Sequence, residues 1–205
     1  QMLVPLNPIH DAVGISRINV ATYQAVSGAG KEMIEDLVGQ TSSLLNGKPV
    51  STKGKTKQIA FNAIPHIDNF QENKYTKEEM KMVWETQKIL EDSSIMVNPT
   101  AVRIPVFYGH SEAVHMETKS KISCNEVIDL MNQTDGVEVI DGVELGAYPT
   151  AVSDASGADP VYVGRIREDI SHPNGINLWI VADNIRKGAA LNTVQIAEIL
   201  VRDYL

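Results

Sequence analysis

The segment from Arg103 to Glu112, RIPVFYGHSE, constrains the fold of this chain more than any other stretch. Its apolar, β-prone residues predict a strand over 101–108, and Gly109 interrupts that pattern just before His110. Residues seven positions apart on a continuous strand face opposite sides of the sheet. We therefore expect the backbone to turn at Gly109, which brings the Arg103 guanidinium and the His110 imidazole into the same space.

These two side chains suit acid–base chemistry on an anion. An Arg guanidinium binds a carboxylate or phosphate through two parallel hydrogen bonds. A His with a pKa near neutrality can transfer protons. Arg103 and His110 together indicate a site for an anionic substrate, and the alternative is a strand that carries a surface Arg and a structural His.

The bulk composition narrows the class of protein. A chain of 205 residues can form one domain with a substantial core, and no linker divides 1–205. No apolar run approaches the roughly 20 residues that span a bilayer, which argues against a membrane partner. The net charge of −8 argues against a nucleic-acid partner. A single cysteine, Cys124, is consistent with a reducing cytoplasm.

Periodic patterns predict the other elements. Residues 1–12 resemble the tail of a helix entering a loop, and the chain reads as part of a longer one because it opens on Gln-Met. Further predicted strands cover 15–23, 58–68, 114–119, 161–166 and 176–182, with a short one within 134–146. Predicted helices end at Gly47, begin with capping boxes at Thr76/Glu79 and Ser123/Glu126, and close the chain with an amphipathic segment containing Leu191, Val194, Ala197 and Val201. The Thr76 helix is expected to turn Met80, Val83, Trp84 and Leu90 inward.

Several residues have both a structural and a functional interpretation. Glu78 and Lys81 lie three apart on one helix face, which favours a surface ion pair over a binding pair. The small residues of SGAGK (27–31) offer bare backbone N–H groups to an anion or a ribose, but the spacing of a phosphate-binding loop is missing. Cys124 lies in the first turn of a helix, where a thiol pKa can fall, yet no neighbouring His supports a nucleophile. His10 and His66 read as structural, and the Lys-rich residues 48–60 as a solvated loop.

Four segments, taken in order, carry a family resemblance. They are YQAVSGAGKE, NKYTKEEMKMVWETQKIL, R-x-P-V-x-x-G-H-S-E and DNIRKGAALNTVQIAE. The set resembles the C-terminal part of bacterial aspartate-β-semialdehyde dehydrogenase, and the resemblance runs along the whole chain. It implies an α+β fold like the C-terminal domain of glyceraldehyde-3-phosphate dehydrogenase: a large mixed sheet flanked by helices that forms a homodimer. A nucleotide-binding domain would precede it.

The resemblance also implies a reaction. The family performs reductive dephosphorylation of β-aspartyl phosphate with NADPH, which gives aspartate semialdehyde, phosphate and NADP⁺ on the route to lysine, threonine and methionine. The acyl group is carried by a cysteine that would lie just before Gln1, and Cys124 does not match that position. NADP would be bound mainly by the preceding domain. We therefore expect residues 1–205 alone to be inactive.

The same resemblance assigns roles to the substrate-binding residues. His110 would be the general acid and base. Arg103 would bind the α-carboxylate of the substrate, and Lys81 its phosphate. Glu78 would bind the substrate amino group, and Gln24 would position the acyl group.

Three further residues would face the cofactor. Ser27 and Gly28 would approach the nicotinamide end of NADP, and Asn184 its carboxamide or ribose. One alternative is a domain related to N-acetyl-γ-glutamyl-phosphate reductase, although an acetylated amine needs no partner such as Glu78. Another is a dimerisation module whose site is vestigial.

Overall fold

The computed structural model of the protein describes residues 1–52 and 57–205, and it contains a six-stranded mixed sheet in the order β2-β1-β3-β6-β5-β4. The strands are β1 Ile15–Gln24, β2 Met96–Arg103, β3 His110–Thr118, β4 Val137–Val139, β5 Val161–Glu168 and β6 Gly175–Ala182. The helices are α1 Leu3–Val13, α2 Lys31–Leu45, α3 Lys77–Ile89, α4 Cys124–Asn132 and α5 Leu191–Tyr204. The predicted α+β class is confirmed.

The strand directions place several chain ends at one edge of the sheet. β1 is parallel to β2 and antiparallel to β3, and β3 is antiparallel to β6. The carboxyl ends of β1, β2 and β6 therefore meet beside the amino end of β3. In register terms, Gln24 lies opposite Arg103, and His110 lies opposite Ala182.

One face of the sheet forms the core beneath α1 and α4. Because side chains alternate along a strand, Val114 and Met116 of β3 point into this core. The same face turns polar toward the strand-end edge, where Thr22, Gln24 and Glu112 are buried. Helix α3 packs beside the edge strand β2, and the buried carboxylate of its Glu79 accepts a hydrogen bond from the Ala101 N–H at 3.0 Å. The apolar core thus ends in a row of hydrogen-bonding side chains.

The loop predicted within residues 1–12 does not form. These residues instead make up most of helix α1. Pro5 falls in the first turn, where a missing N–H costs no helical hydrogen bond. Pro8 lies inside the helix, and the burial of Leu6 and Ile9, both 0% exposed, offsets the bond that it removes. The N-terminal segment is therefore packed into the core.

Two strand predictions were wrong: one strand is absent and the other is shorter than predicted. No strand forms over 58–68: Gln40 of α2 accepts hydrogen bonds from the Ile59 and Ala60 N–H groups through its Oε1, and a single bridge joins Ile64 to Arg103. The strand predicted over 101–108 ends at Arg103 because Pro105 has no N–H to extend the ladder. Its continuation instead lies against the turn after β1, where Val106 O accepts from Val26 N–H at 2.8 Å.

Two helices bury fewer apolar residues than their sequences suggest. Trp84 of α3 was expected to face inward, but it is 50% exposed, and the buried positions of that helix are Glu79 and Thr86. Helix α5 forms as predicted and has no buried residue. Its exposed apolar side chains are Val194, Ile196, Ile199, Leu200 and Val201.

The Lys-rich loop and the absence of a membrane span were also expected from the sequence. Within the Lys-rich segment, Lys53 and Lys55 lie outside the described residues, while Lys57 is exposed. Among the described residues, no helix is both long and apolar enough to cross a bilayer.

Candidate functional site

A cleft of about 400 Å³ opens at the edge where β1, β2 and β6 end. Six of the eight residues that the resemblance singles out line it: Gln24, Ser27, Gly28, Glu78, His110 and Asn184. Arg103 lies directly behind Gly28, and Lys81 contacts Glu78. Residues far apart in sequence thus converge because the strand directions bring their ends together.

Gly28 is the point where Arg103 and His110 meet. A Cβ atom at residue 28 would lie 3.3 Å from Arg103 Nη1 and 3.4 Å from His110 Nε2. The turn expected at Gly109 is present: this residue has a φ of 86°, and a side chain there would meet Ala151 O at 2.8 Å. The backbone between the two strands therefore brings guanidinium and imidazole to one place.

Arg103 is a buried cation. It is 7% exposed, and its Nη1 donates a hydrogen bond to Ala25 O at 2.6 Å. Burial lowers the pKa of its guanidinium from the usual 12.5, and the charge of Glu78 acts in the opposite direction. Arg side chains stay protonated in proteins. The cleft therefore has a fixed positive charge behind Gly28.

His110 is held in its neutral form. Burial lowers its pKa from 6.5 to about 4, the Arg103 charge adds to this, and the Gly109 backbone and Glu78 oppose it. The Ala25 N–H donates to His110 Nδ1 at 3.0 Å. We therefore assign the ring proton to Nε2, which points toward Gly28. At neutral pH this imidazole is a hydrogen-bond donor, and accepting a proton at Nε2 requires the tautomer that the Ala25 N–H disfavours.

A hydrogen-bonded chain connects the sheet to α3. Thr22 Oγ1 donates to Gln24 Oε1 at 3.0 Å, Gln24 Nε2 donates to Glu78 Oε1 at 3.1 Å, and Lys81 Nζ donates to Glu78 Oε2 at 3.1 Å. Partial burial acts to lower the Lys81 pKa, but its hydrogen bond and charge interaction with Glu78 outweigh this, so the pKa is raised above 10.5. Glu78 thus lines the cleft, and its ion pair holds Lys81 next to it.

Ser27, Gly28 and Asn184 form the opposite rim. Asn184 Nδ2 donates to Ser27 Oγ at 3.0 Å, and Asn184 Oδ1 accepts from the Gly109 N–H at 2.9 Å. Asn184 therefore ties the segment after β6 to the turns that follow β1 and β2. The bare Gly28 keeps open a space that a Cβ would fill, next to an amide and a hydroxyl. A flat ring with a carboxamide group fits these features.

The other titratable candidates lie elsewhere. Burial, together with the charge of Glu168, raises the Cys124 pKa, so the helix start does not activate this thiol. His10 accepts from the Ile15 N–H through Nδ1 at 3.1 Å, and His66 stacks on Phe70. The described residues contain no cluster of His, Cys, Asp or Glu suited to a metal ion.

Glu112 and Thr22 are among the cleft residues that the sequence reasoning missed. Both are buried. The signal was available, because Glu112 lies two residues after His110 and Thr22 two before Gln24, and such residues share a strand face.

Fold and cleft together define a sheet-based domain with a hydrogen-bonding site at its strand ends and the Arg103 charge behind it. The chain belongs to the family described as semialdehyde dehydrogenase, dimerisation domain, which it matches over residues 6–187. One relative, aspartate-semialdehyde dehydrogenase 2 of Vibrio cholerae, is 66% identical over 204 residues, which cover 100% of this chain and 60% of the relative. The chain thus spans about 60% of the length of such relatives.

Solved structures give the same result. Aspartate semialdehyde dehydrogenase II of Vibrio cholerae, complexed with ASA, has a TM-score of 0.96 and 65% identity, covering 100% of this chain and 60% of its own. The Candida albicans aspartate semialdehyde dehydrogenase with NADP has a TM-score of 0.70 and 23% identity, covering 97% of this chain and 54% of its own. The second comparison shows the fold alone.

Proposed function

We propose that residues 1–205 are the substrate-binding and dimerisation domain of an NADP-dependent aspartate-semialdehyde dehydrogenase. The reaction is the reductive dephosphorylation of β-aspartyl phosphate, within lysine, threonine and methionine biosynthesis. One observation carries the proposal: Arg103 and His110 meet beside Gly28, in the same cleft as Gln24 and Glu78. The 66% identity with the Vibrio cholerae relative supports it.

The cleft offers complementary groups to each end of an aspartyl substrate. The Arg103 guanidinium binds the α-carboxylate, since one nitrogen is already anchored on Ala25 O and the fork is held rigid. The Glu78 carboxylate binds the ammonium group. Lys81, paired to Glu78 at 3.1 Å, attracts the phosphate. Gln24 donates to Glu78 and so holds the acyl end between the sheet and α3.

His110 handles a proton at Nε2. Because its pKa is about 4 and Nδ1 accepts from Ala25, the neutral ring donates its Nε2 proton toward a substrate oxygen. A negative charge that develops on this oxygen is stabilised by the Nε2–H and by the Arg103 charge next to it. Proton uptake by His110 follows only when a bound anion makes the imidazolium favourable.

NADP supplies hydride chemistry when it is bound. Ser27, Gly28 and Asn184 would hold the nicotinamide end, because the space over Gly28 is open and an amide and a hydroxyl line its rim. The Ser27–Asn184 hydrogen bond, 3.0 Å long, keeps this rim fixed relative to His110.

We further propose that residues 1–205 alone do not turn over. The sequence contains one cysteine, Cys124, which does not line the cleft and whose pKa is raised. No thiol of these residues can therefore carry an acyl group at the site. The test is an assay in which the chain is mixed with aspartate semialdehyde, NADP⁺ and phosphate. The absorbance of NADPH reports its formation. Turnover that survives Cys124→Ser would contradict this proposal.

Binding is the positive test of the proposed function. Calorimetric titration of the chain with aspartate semialdehyde should show saturable binding, which Arg103→Ala reduces at least tenfold, because a buried charge-assisted contact is lost. Arg17→Ala is the matched control, since Arg17 is exposed at the other end of β1. Equal binding by the wild type and Arg103→Ala would reject the proposed role of this cleft.

We also propose that the chain forms a homodimer through the uncovered face of the sheet. Helices α1 and α4 pack on the core face, while a shallow depression of about 320 Å³ lies on the other face. Ala21, Ala113 and Asn177 line this depression. His115 and Arg167 line it as well, and the small side chains of Ala21 and Ala113 allow two sheets to approach closely.

A further inference from the structure

Glu112 is a buried carboxyl group that the mechanism above does not use. Its residue is 9% exposed, and its side chain lines the cleft. Glu112 Oε2 is buried and has no hydrogen-bond partner among the described residues. Buried polar atoms are almost always paired in folded proteins, so an unpaired carboxyl oxygen facing a cleft needs an explanation.

The surroundings of Glu112 favour its neutral form. Its cross-strand neighbours are Thr22 on β1 and Ile180 on β6, neither of which is charged. Burial raises the Glu112 pKa from 4.5, although the charge of the Gln1 ammonium group and a hydrogen bond with the Gln1 side chain act in the opposite direction. The other charged groups at the cleft lie on β2, which carries Arg103, and on α3, which carries Glu78, Lys81 and Glu85, while His110 on β3 is neutral. Burial thus outweighs the interactions with Gln1 and disfavours the carboxylate form.

A neutral carboxyl group is a hydrogen-bond donor, unlike a carboxylate. Two other groups at the cleft donate as well: His110 through Nε2 and, next to Gly28, Arg103 through its guanidinium. Thr22 already donates to Gln24 at 3.0 Å, so its hydroxyl hydrogen is committed. A protonated Glu112 therefore adds one donor to a site otherwise arranged for an anion, and a charged Glu112 would repel that anion.

We propose that Glu112 is a further substrate-binding residue of this cleft, whose protonated carboxyl group donates a hydrogen bond to an oxygen atom of the bound anionic substrate. The proposal rests on the proposed function for the identity of that substrate. Binding then requires Glu112 to carry its proton, so above the midpoint of its titration the affinity falls by up to tenfold per pH unit. Binding in that range also takes up a proton.

The test combines calorimetry with direct titration of the carboxyl group. The probe is aspartate semialdehyde, titrated into the chain across the pH range in buffers of different ionisation enthalpy, which reports the protons taken up. Carbon-13 chemical shifts of the glutamate carboxyl groups, assigned by comparison with Glu112→Gln, give the Glu112 midpoint. Glu112→Gln keeps the shape and the donor but cannot titrate. Glu117→Gln is the matched control, because Glu117 lies on the opposite face of β3.

The expected result is a Glu112 midpoint above 4.5, proton uptake by the wild type and by Glu117→Gln, and an uptake reduced by up to one proton in Glu112→Gln. Identical pH dependence of binding in the wild type and Glu112→Gln would overturn the proposal. A Glu112 titration midpoint at the ordinary value of 4.5 would also overturn the proposal. Absence of binding by the wild type rejects the proposed function instead, and the carbon-13 midpoint then decides alone whether Glu112 is a neutral donor.

Discussion

His110 illustrates how one contact can decide the chemistry of a residue. The Ala25 N–H fixes Nδ1 as an acceptor, and burial beside Arg103 lowers the pKa to about 4. The sequence indicated a titratable group near pH 7, because the ordinary pKa of His is about 6.5. The backbone amide that holds the ring in its neutral form comes from a residue 85 positions away, and no local pattern reveals it.

The lowered pKa of His110 predicts an acid-sensitive fold. As the pH falls below 6.5 the unfolded chain binds this proton first, so stability is lost between pH 6.5 and about 4. Full protonation of His110 lowers the free energy of unfolding by about 3 kcal/mol, at 1.36 kcal/mol for each unit by which the folded and unfolded pKa values differ. His110→Gln should remove this loss, since a Gln carbonyl can still accept from Ala25. Urea unfolding at several pH values measures it, with His66→Gln as the control outside the cleft.

Gly28 makes a second prediction at this scale. Its φ is not positive, so Ala can adopt the backbone, but the added Cβ lies 3.3 Å from Arg103 Nη1. We expect Gly28→Ala to weaken binding of aspartate semialdehyde by about tenfold, because a shift of the guanidinium loses roughly one charge-assisted hydrogen bond. Calorimetry measures the affinity.

Gly39→Ala is the matched control for this substitution. Gly39 lies within α2, and a Cβ there meets nothing within 4 Å. This change should raise the free energy of unfolding by roughly 0.5–1 kcal/mol and leave binding unaltered. Equal affinities of Gly28→Ala and Gly39→Ala would show that ligands do not use the space over Gly28.

At the scale of elements, the N-terminus of α3 connects local sequence to the site. Thr76 accepts from the Glu79 N–H at 3.2 Å, and Glu79 Oε2 accepts from the Thr76 N–H at 2.7 Å. The first two turns of this helix carry Glu78 and Lys81, so the cap sets their position. The second capping box, at Ser123 of α4, has the same geometry and lies away from the cleft.

This pair of capping boxes yields a matched prediction. Thr76→Ala and Ser123→Ala should each lower the free energy of unfolding by about 1 kcal/mol, because each removes one N-cap acceptor. Thr76→Ala should in addition weaken binding of aspartate semialdehyde, since the turn that carries Glu78 loosens. Thermal unfolding and calorimetry measure the two effects. A loss of affinity in Ser123→Ala as large as that in Thr76→Ala would argue against this role of the α3 cap.

Capping boxes are local patterns, which is why sequence predicted both helix starts and the structure confirms them. Strand extent is not local. Residues 58–68 look β-prone, yet the Gln40 side chain satisfies the amides of Ile59 and Ala60, so no ladder is needed. The strand face of Glu112 could be inferred from its spacing to His110, but its burial depends on Thr22 and Ile180, which only the folded sheet places beside it.

The whole molecule has one face of the sheet under helices and one face open. Ala113 lies at the shallow depression on the open face, and the opposite side of β3 is buried in the core. Apolar surface also lies on α5, which contacts chiefly the short turn Arg186–Ala190 before it. Residues 1–12, by contrast, pack into the core through Leu6 and Ile9. The open face of the sheet and the exposed side of α5 are thus two surfaces to which another protein domain or subunit can bind.

The homodimer proposal predicts a change of mass on one substitution. Ala113→Arg places a long cation at the centre of the proposed sheet interface, and it should convert the dimer to a monomer because a buried unpaired charge costs several kcal/mol. Sedimentation velocity measures this. Gln133→Arg adds the same charge at the exposed end of α4 and should leave the dimer intact. A dimer that tolerates Ala113→Arg would place the interface elsewhere.

The cleft is formed by residues spread between positions 1 and 189 of the chain, which the strand directions bring together. No fragment much shorter than this span can contain it, so occupancy is possible only when nearly the entire sheet has formed. By mass action a bound molecule must then protect regions that it never touches. Strand β5 contributes no residue to the cleft, yet proteolysis at β5 should slow as aspartate semialdehyde is added. If the ligand slows proteolysis only in the loops around the cleft, parts of the sheet unfold independently of one another.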